Sequence, residues 1–136
     1  MKPRILFLCT GNAARSQMAE GLARAFYGDR IDVVSAGSRP SGFVHPSAIR
    51  ALAEIGIDIH DAESKSAEQF LDQHFDVVVT VCDSAARDCP RWPNAARVEH
   101  WPIDDPSWIG YEAFVKTRDD LARRIEALME TLAVSR

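Results

Sequence analysis

The run Phe75-Asp76-Val77-Val78-Val79-Thr80-Val81 is β-branched and almost continuously apolar. A strand of that kind cannot leave either face in water, so it calls for a parallel sheet covered on both sides. Three other segments read as its partners: Ile5-Leu6-Phe7-Leu8, Ile31-Asp32-Val33-Val34-Ser35-Ala36 and Arg97-Val98-Glu99-His100-Trp101. Between them lie stretches with helical spacing, at 17–26, from Pro46 to about Ile55 with Gly56 as the stop, and from near Tyr111 onward. In the last of these Phe114, Leu121, Ile125, Leu128 and Leu132 recur on one face. Short helices are predicted at 67–71 and 83–89, the second closed by Pro90. Strands alternating with helices give a three-layer α/β fold. With 136 residues and no repeat, linker or low-complexity tract, one domain over 1–136 is expected.

The formal net charge of −4 and the lack of any Lys/Arg run argue against nucleic acid as a partner. The N-terminus has too few apolar residues for a signal peptide, and no stretch nears the roughly 20 residues a spanning helix needs, so a cytoplasmic protein without a membrane partner is expected. Three cysteines in a reducing compartment point to redox or catalytic use rather than a structural disulfide framework. The histidines, His45, His60, His74 and His100, lack ligand spacing, and no metal site or cofactor is read from them.

The chemistry concentrates in Cys9-Thr10-Gly11-Asn12-Ala13-Ala14-Arg15-Ser16, between the first strand and the first helix. Such a turn aims free backbone N–H groups and the positive end of a helix at one spot, where a tetrahedral oxyanion can sit. The same field stabilises a thiolate, so Cys9 is expected to be a nucleophile at neutral pH, with Arg15 beside it. Gly11 and Asn12 stand where the loop needs unusual backbone angles. In a parallel sheet, ligands bind outside the carboxyl ends of the strands. Cys9, Cys82 and the Asp105 loop each follow a predicted strand and should gather at that edge.

If Cys9 attacks phosphorus, water must hydrolyse the adduct, because thiols do not readily reduce phosphorus. Arsenic(V) differs: a second thiol can attack the sulfur of a Cys9–arsenic adduct, leaving two electrons on arsenic and forming a disulfide. Cys82 is placed to be that thiol. Cys89 lies seven residues beyond it, about 10 Å of rise in an intact helix. A disulfide needs Cα atoms within about 7 Å, so Cys82 and Cys89 can pair only if the segment unwinds. An exposed disulfide there would suit exchange with an external dithiol protein. Taken singly, Cys82 reads as a small core hydrophobe and Cys89 as a chance helical residue; joined to Cys9 they read as a relay. Asp105 is the candidate proton donor to the departing oxygen, set against the commoner solvated Asp-Asp-Pro turn. His100, Trp92, Trp101 and Trp108 read as structural, and Asp83 with Arg87 as a surface ion pair.

Three segments, CTGNAARSQMAEG from Cys9, VTVCDSAARDCP from Val79 and EHWPIDDP from Glu99, resemble the thioredoxin-coupled arsenate reductases, which share the low-molecular-weight protein tyrosine phosphatase fold. The resemblance implies a four-stranded parallel sheet in the order 2-1-3-4, helices on both faces, and a monomer. It implies Cys9 as nucleophile, Arg15 as oxyanion binder, Ser16 as support for the thiolate and Asp105 as general acid. Cys82 would resolve the adduct and Cys89 would form the disulfide that thioredoxin reduces, with arsenate as substrate and arsenic detoxification as the outcome.

Two positions depart from that pattern. Ala14 stands where members often carry a further cysteine. Some members also bind potassium through Asn, Glu, Ser and Asp; Asn12, Glu20 and Ser35 match, but the Asp falls in Ser64-Lys65-Ser66, where either an ammonium replaces the metal or the site is lost. The residues leave three alternatives open: a low-molecular-weight phosphatase that uses Cys9, Arg15 and Asp105 alone, a reductase served by glutaredoxin or glutathione, and a non-catalytic oxyanion-binding or redox-sensing module.

Overall fold

The computed structural model describes residues 2–82, 92 and 95–136. Four strands, β1 (Arg4–Cys9), β2 (Asp32–Gly37), β3 (Phe75–Cys82) and β4 (Ala95–Pro102), form one parallel sheet in the order β2-β1-β3-β4. The order is the expected one. The register sets Leu8 beside Ala36 and Thr80, and Thr80 beside His100, so all four strands run toward the same edge. Cys82 is the last residue of β3 rather than the first beyond it. The helix predicted at 67–71 is a 3-10 turn, Ala67–Phe70. The helix predicted at 83–89, its Asp83 and Arg87, and Cys89 lie outside the described residues.

Three α-helices, α1 (Arg15–Tyr27), α2 (Pro46–Ala53) and α3 (Tyr111–Thr131), share the larger core with Ile5, Phe7, Val77 and Val79. Leu6, Leu8 and Val78 face the other way, into a smaller core with Phe75 and Trp92, flanked by Ala67 and Phe70. The continuous apolar run of β3 is thus explained: its residues serve cores on both faces. Phe114, Leu121, Ile125 and Leu128 are buried as their spacing requires, while Leu132, past the end of α3, is half-buried. Among the described residues no helix is long and apolar enough to cross a membrane.

The helix ends follow local chemistry. α2 starts where His45 Nδ1 accepts from Ser47 N–H at 3.1 Å and Pro46 fills the first turn; Gly56, at φ +81°, follows its end. α1 packs closely because Gly21 carries no side chain: a Cβ there would meet Leu52 Cδ1 at 2.7 Å and Ile59 Cγ2 at 2.8 Å. The buried guanidinium of Arg118 in α3 donates to the Ala51 carbonyl at 2.9 Å, tying α3 to α2.

Candidate active site

The loop after β1 owes its shape to what holds its carbonyl groups. Ser38 N–H donates to the Cys9 carbonyl, Arg39 N–H to Thr10, Ser41 N–H to Gly11, His45 N–H to Ala13 and Met18 N–H to Ala14. Gln17 Nε2 takes the Asn12 carbonyl at 3.1 Å, and Ser64 Oγ adds a second bond to Gly11. Six consecutive carbonyls are therefore engaged away from the pocket, and amides are the backbone dipoles left to line it. No side chain caps α1 at Ala14, so the first helical N–H groups stay available to an anion.

Two donors converge on the Cys9 sulfur: Asn12 N–H at 3.1 Å and the Ser16 hydroxyl at 2.8 Å. The sense of the second bond follows from its neighbours. Asn12 Nδ2 donates to Ser16 Oγ at 2.8 Å and to Ser35 Oγ at 2.9 Å. Each hydroxyl oxygen thus accepts from Asn12 and has its own proton to give, Ser16 to Cys9 and Ser35 to Glu20 Oε1 at 2.8 Å. Asn12 cannot flip, because Oδ1 accepts from Lys65 N–H at 2.8 Å and Gln17 Nε2 at 2.9 Å. Its positive φ, 48°, is the loop's one left-handed residue; Gly11, expected to share that role, has no positive φ, and a Cβ there would touch nothing within 4 Å.

At the far end of this chain the Lys65 ammonium lies 3.4 Å from Glu20 Oε1, while Arg24 holds Glu20 Oε2 at 2.7 Å. The Asn12, Glu20 and Ser35 cluster thus contains its cation as a side chain. With both Glu20 oxygens and the Asn12 carbonyl oxygens already engaged, these residues do not fit potassium.

Arg15 and Asp105 close the pocket. Arg15 Nη1 donates to the Ile103 carbonyl at 2.7 Å, and Nη2 lies 4.0 Å from Asp105 Oδ2. Asp105 divides its oxygens. Oδ1 accepts from Ser107 N–H at 3.0 Å and Ser107 Oγ at 2.6 Å, capping the 3-10 turn Pro106–Trp108, whereas Oδ2 is turned toward Arg15. Cys9, Arg15 and Asp105 border one small cavity of about 40 Å³ together with Gly11 to Ala14 and Ser107.

The three chain segments predicted to meet at the strand ends do meet. Ile103 N–H donates to the Cys82 carbonyl at 2.9 Å, so the segment that carries Asp105 leaves the sheet beside Cys82. Strand alternation, however, carries Cys82 onto the face of Val78 and Thr80, whereas Cys9 follows Ile5 and Phe7. The Thr80 hydroxyl and His100 Nδ1, 2.9 Å apart, form a polar pair on the Cys82 face. Cys9 is a free thiol, and Cys82 is disulfide-bonded.

Sequence reasoning missed Gly37 and the segment after it. A Cβ at Gly37 would meet the Thr10 carbonyl oxygen at 2.5 Å and Asn12 N at 3.0 Å, so β2 can approach the loop only through a glycine. The signal was present as a Gly at the end of a strand. Trp108, expected to be structural, is 93% exposed and packs in no core; Trp92 and Trp101 are buried as expected.

The sequence profile of the low molecular weight phosphotyrosine protein phosphatase family matches residues 4–136. An arsenate reductase of Halalkalibacterium halodurans is 43% identical over 136 residues, covering 96% of this chain and 97% of the relative. A solved structure described as an arsenate reductase in the phosphate binding state superposes with a TM-score of 0.86 at 36% identity, over 96% of this chain and 98% of that one. A thioredoxin-dependent arsenate reductase of Corynebacterium glutamicum gives 0.77 at 29% identity, over 97% of this chain and 62% of that one.

Proposed function

Because this chain belongs to the low molecular weight phosphotyrosine protein phosphatase family, we propose that it reduces arsenate to arsenite through Cys9, Cys82 and Cys89, with thioredoxin as the electron donor. The observation that carries the reading is the redox state of the sulfurs at a prepared oxyanion pocket: Cys9 is free and Cys82 is oxidised. A phosphatase also needs the free Cys9 thiol, but it has no use for an oxidised Cys82. The relatives named as arsenate reductases, at 43% identity over nearly the whole chain, point the same way.

The Cys9 thiolate attacks arsenate, an S–As bond forms, and one oxygen leaves as water after taking a proton, which Asp105 Oδ2 is turned to supply. Arg15 and the loop amides hold the remaining oxygens. The Cys82 thiolate then attacks Cys9 Sγ. The S–S bond forms, the S–As bond breaks, and its electron pair stays on arsenic as arsenite. The Cys89 thiolate displaces Cys9 from Cys82, returning Cys9 as a thiolate and leaving a Cys82–Cys89 disulfide for an external dithiol to reduce. Since Cys9 and Cys82 start on opposite sides of the sheet edge, the second step requires the end of β3 to move.

The deciding measurement is NADPH consumption with thioredoxin, thioredoxin reductase and arsenate, beside a sample without arsenate. Sustained arsenate-dependent consumption that is lost in Cys9→Ser and limited to one turnover in Cys89→Ser is expected. Multiple turnover by Cys89→Ser would remove the relay. Consumption with glutaredoxin and glutathione alone would replace the donor, and hydrolysis of p-nitrophenyl phosphate without arsenate reduction would return the chain to the phosphatases.

A further inference from the structure

Asp105 reaches the pocket from a turn whose backbone is held without its side chain. Ahead of it, Ile103 places its N–H on the Cys82 carbonyl at 2.9 Å and its own carbonyl under Arg15 Nη1 at 2.7 Å. Behind it, Pro106 is buried with φ set by its ring, and Ile109 N–H closes the turn on the Pro106 carbonyl at 3.2 Å. What the backbone leaves open is the carboxyl itself. It can rotate about the Cβ–Cγ bond, and in its acid form the proton sits on either oxygen. Only a proton on the oxygen that faces the pocket can reach a departing oxide.

Ser107 decides between the two oxygens. Its N–H, 3.0 Å from Oδ1, can only donate, and the protonated oxygen of a carboxylic acid is a poor acceptor, so this bond favours a bare oxygen at Oδ1. The Ser107 hydroxyl lies 2.6 Å from the same atom and, with Oδ1 bare, donates as well. Both donors of one residue then hold Oδ1, and the proton is left to Oδ2. Arg15 Nη2, 4.0 Å from Oδ2, stands beyond hydrogen-bond reach and does not take that lone pair. Ser107 also borders the Cys9 cavity, so the selection is made where the proton is used. Any residue but proline at 107 would supply the N–H, whereas the hydroxyl requires serine or threonine. We propose that Ser107 is a positioning residue for the proton transfer, its hydroxyl binding Asp105 Oδ1 so that the transferable proton sits on Oδ2. The proposal rests on Asp105 as the proton donor of the arsenate reading. In the transfer the Oδ2–H bond breaks, the arsenate oxygen leaves as water, and Asp105 remains as a carboxylate with Oδ1 still bonded to Ser107.

The test compares Ser107→Ala with Ser107→Thr, each in the parent and in Asp105→Asn, by rapid-quench measurement of Cys9 adduct formation with arsenate. Ser107→Ala is expected to slow the adduct about 3- to 10-fold, the effect of one lost hydrogen bond. Ser107→Thr should restore the parent rate, and phosphate should inhibit all of them alike. In the Asp105→Asn background Ser107→Ala should cause no further slowing, because no proton remains to be placed. Equal slowing in both backgrounds, or a parent rate in Ser107→Ala, would overturn the proposal. A parent rate in Asp105→Asn alone would instead overturn Asp105 as the donor. The 13Cγ resonance of Asp105 reads the bond without turnover: it should move in Ser107→Ala and return in Ser107→Thr, and an unmoved resonance would overturn the bond itself.

Discussion

The Lys65 ammonium reaches Glu20 Oε1 at 3.4 Å while the Lys65 backbone N–H holds Asn12 Oδ1 at 2.8 Å, so a single residue neutralises one end of the Cys9 network and orients its middle. Glu20 is almost fully buried and would otherwise face Ser35 with only Arg24 as counter-charge.

Lys65→Met keeps the backbone bond and removes the cation. It is expected to cost about 1–2 kcal/mol in urea unfolding, toward the low end for a partly buried pair. Added potassium should recover part of the loss, since the bare carboxylate then accepts an external cation. A variant as stable as the parent, at any potassium concentration, would show that Glu20 is satisfied by Arg24 and Ser35 alone.

Gly37→Ala puts a methyl 2.5 Å from the Thr10 carbonyl oxygen, a backbone atom that cannot swing aside. The loop must shift, and a displacement of that order should lower kcat/KM for arsenate by about 10- to 100-fold. Far-UV circular dichroism should stay unchanged. Parent-like kcat/KM would mean that the loop relaxes without altering the pocket.

Asp105→Asn retains an oxygen to cap Ser107 and loses the proton donor. Adduct formation should slow by about 10² to 10⁴ while phosphate inhibits as in the parent. Rapid-quench measurement of Cys9 adduct formation separates the two effects, and an unchanged rate would reduce Asp105 to a turn cap.

His60 carries a pH signature. The hydrogen bond that its ring donates to Asp58, 2.6 Å away, and then the charges of Asp58 and Asp61 raise its pKa above the ordinary value. Hydrogen bonds from the His60 backbone and then its ring lower that of Asp58. The imidazolium contribution to stability is complete below the ordinary histidine value of about 6.5 and is lost as pH rises through the raised folded value. The carboxylate contribution is complete above about pH 4 and is lost as pH falls through the lowered value. His60→Ala should therefore be less stable than the parent near pH 5.5, by a small margin because both groups are exposed, and equal to it near pH 9. An equal deficit at both pH values would assign the effect to packing.

Most of the fold was legible because its signals are local and periodic: the β-branched run of β3, the heptad-like recurrence in α3, the glycine that ends α2. The Cys9 loop was legible for the same reason, as a thiol between an apolar run and a helical one. What could not be read are relations between segments far apart in the chain. Gly37 matters because of Thr10, and Lys65 because of Glu20 and Asn12. The opposed faces of Cys9 and Cys82 depend on a register that pairs Leu8 with Thr80, and single-strand patterns do not contain it. Gly11 and Trp108 fail in the other direction, since residue type suggested roles that their surroundings do not require.

The outward tethering of the loop carbonyls has a consequence for biosynthesis. Four of the six carbonyls, those of Cys9, Thr10, Gly11 and Ala13, are held from 38–45, with Ser64 adding a bond to Gly11, and these residues leave the ribosome well after Cys9 does. Until they arrive, the stretch from Cys9 to Ser16 is an ordinary peptide bearing an ordinary thiol, with no preformed cradle for an oxyanion. The oxyanion cradle is thus acquired only once β2 and the 64–66 segment have docked, and a nascent or misfolded copy lacks it.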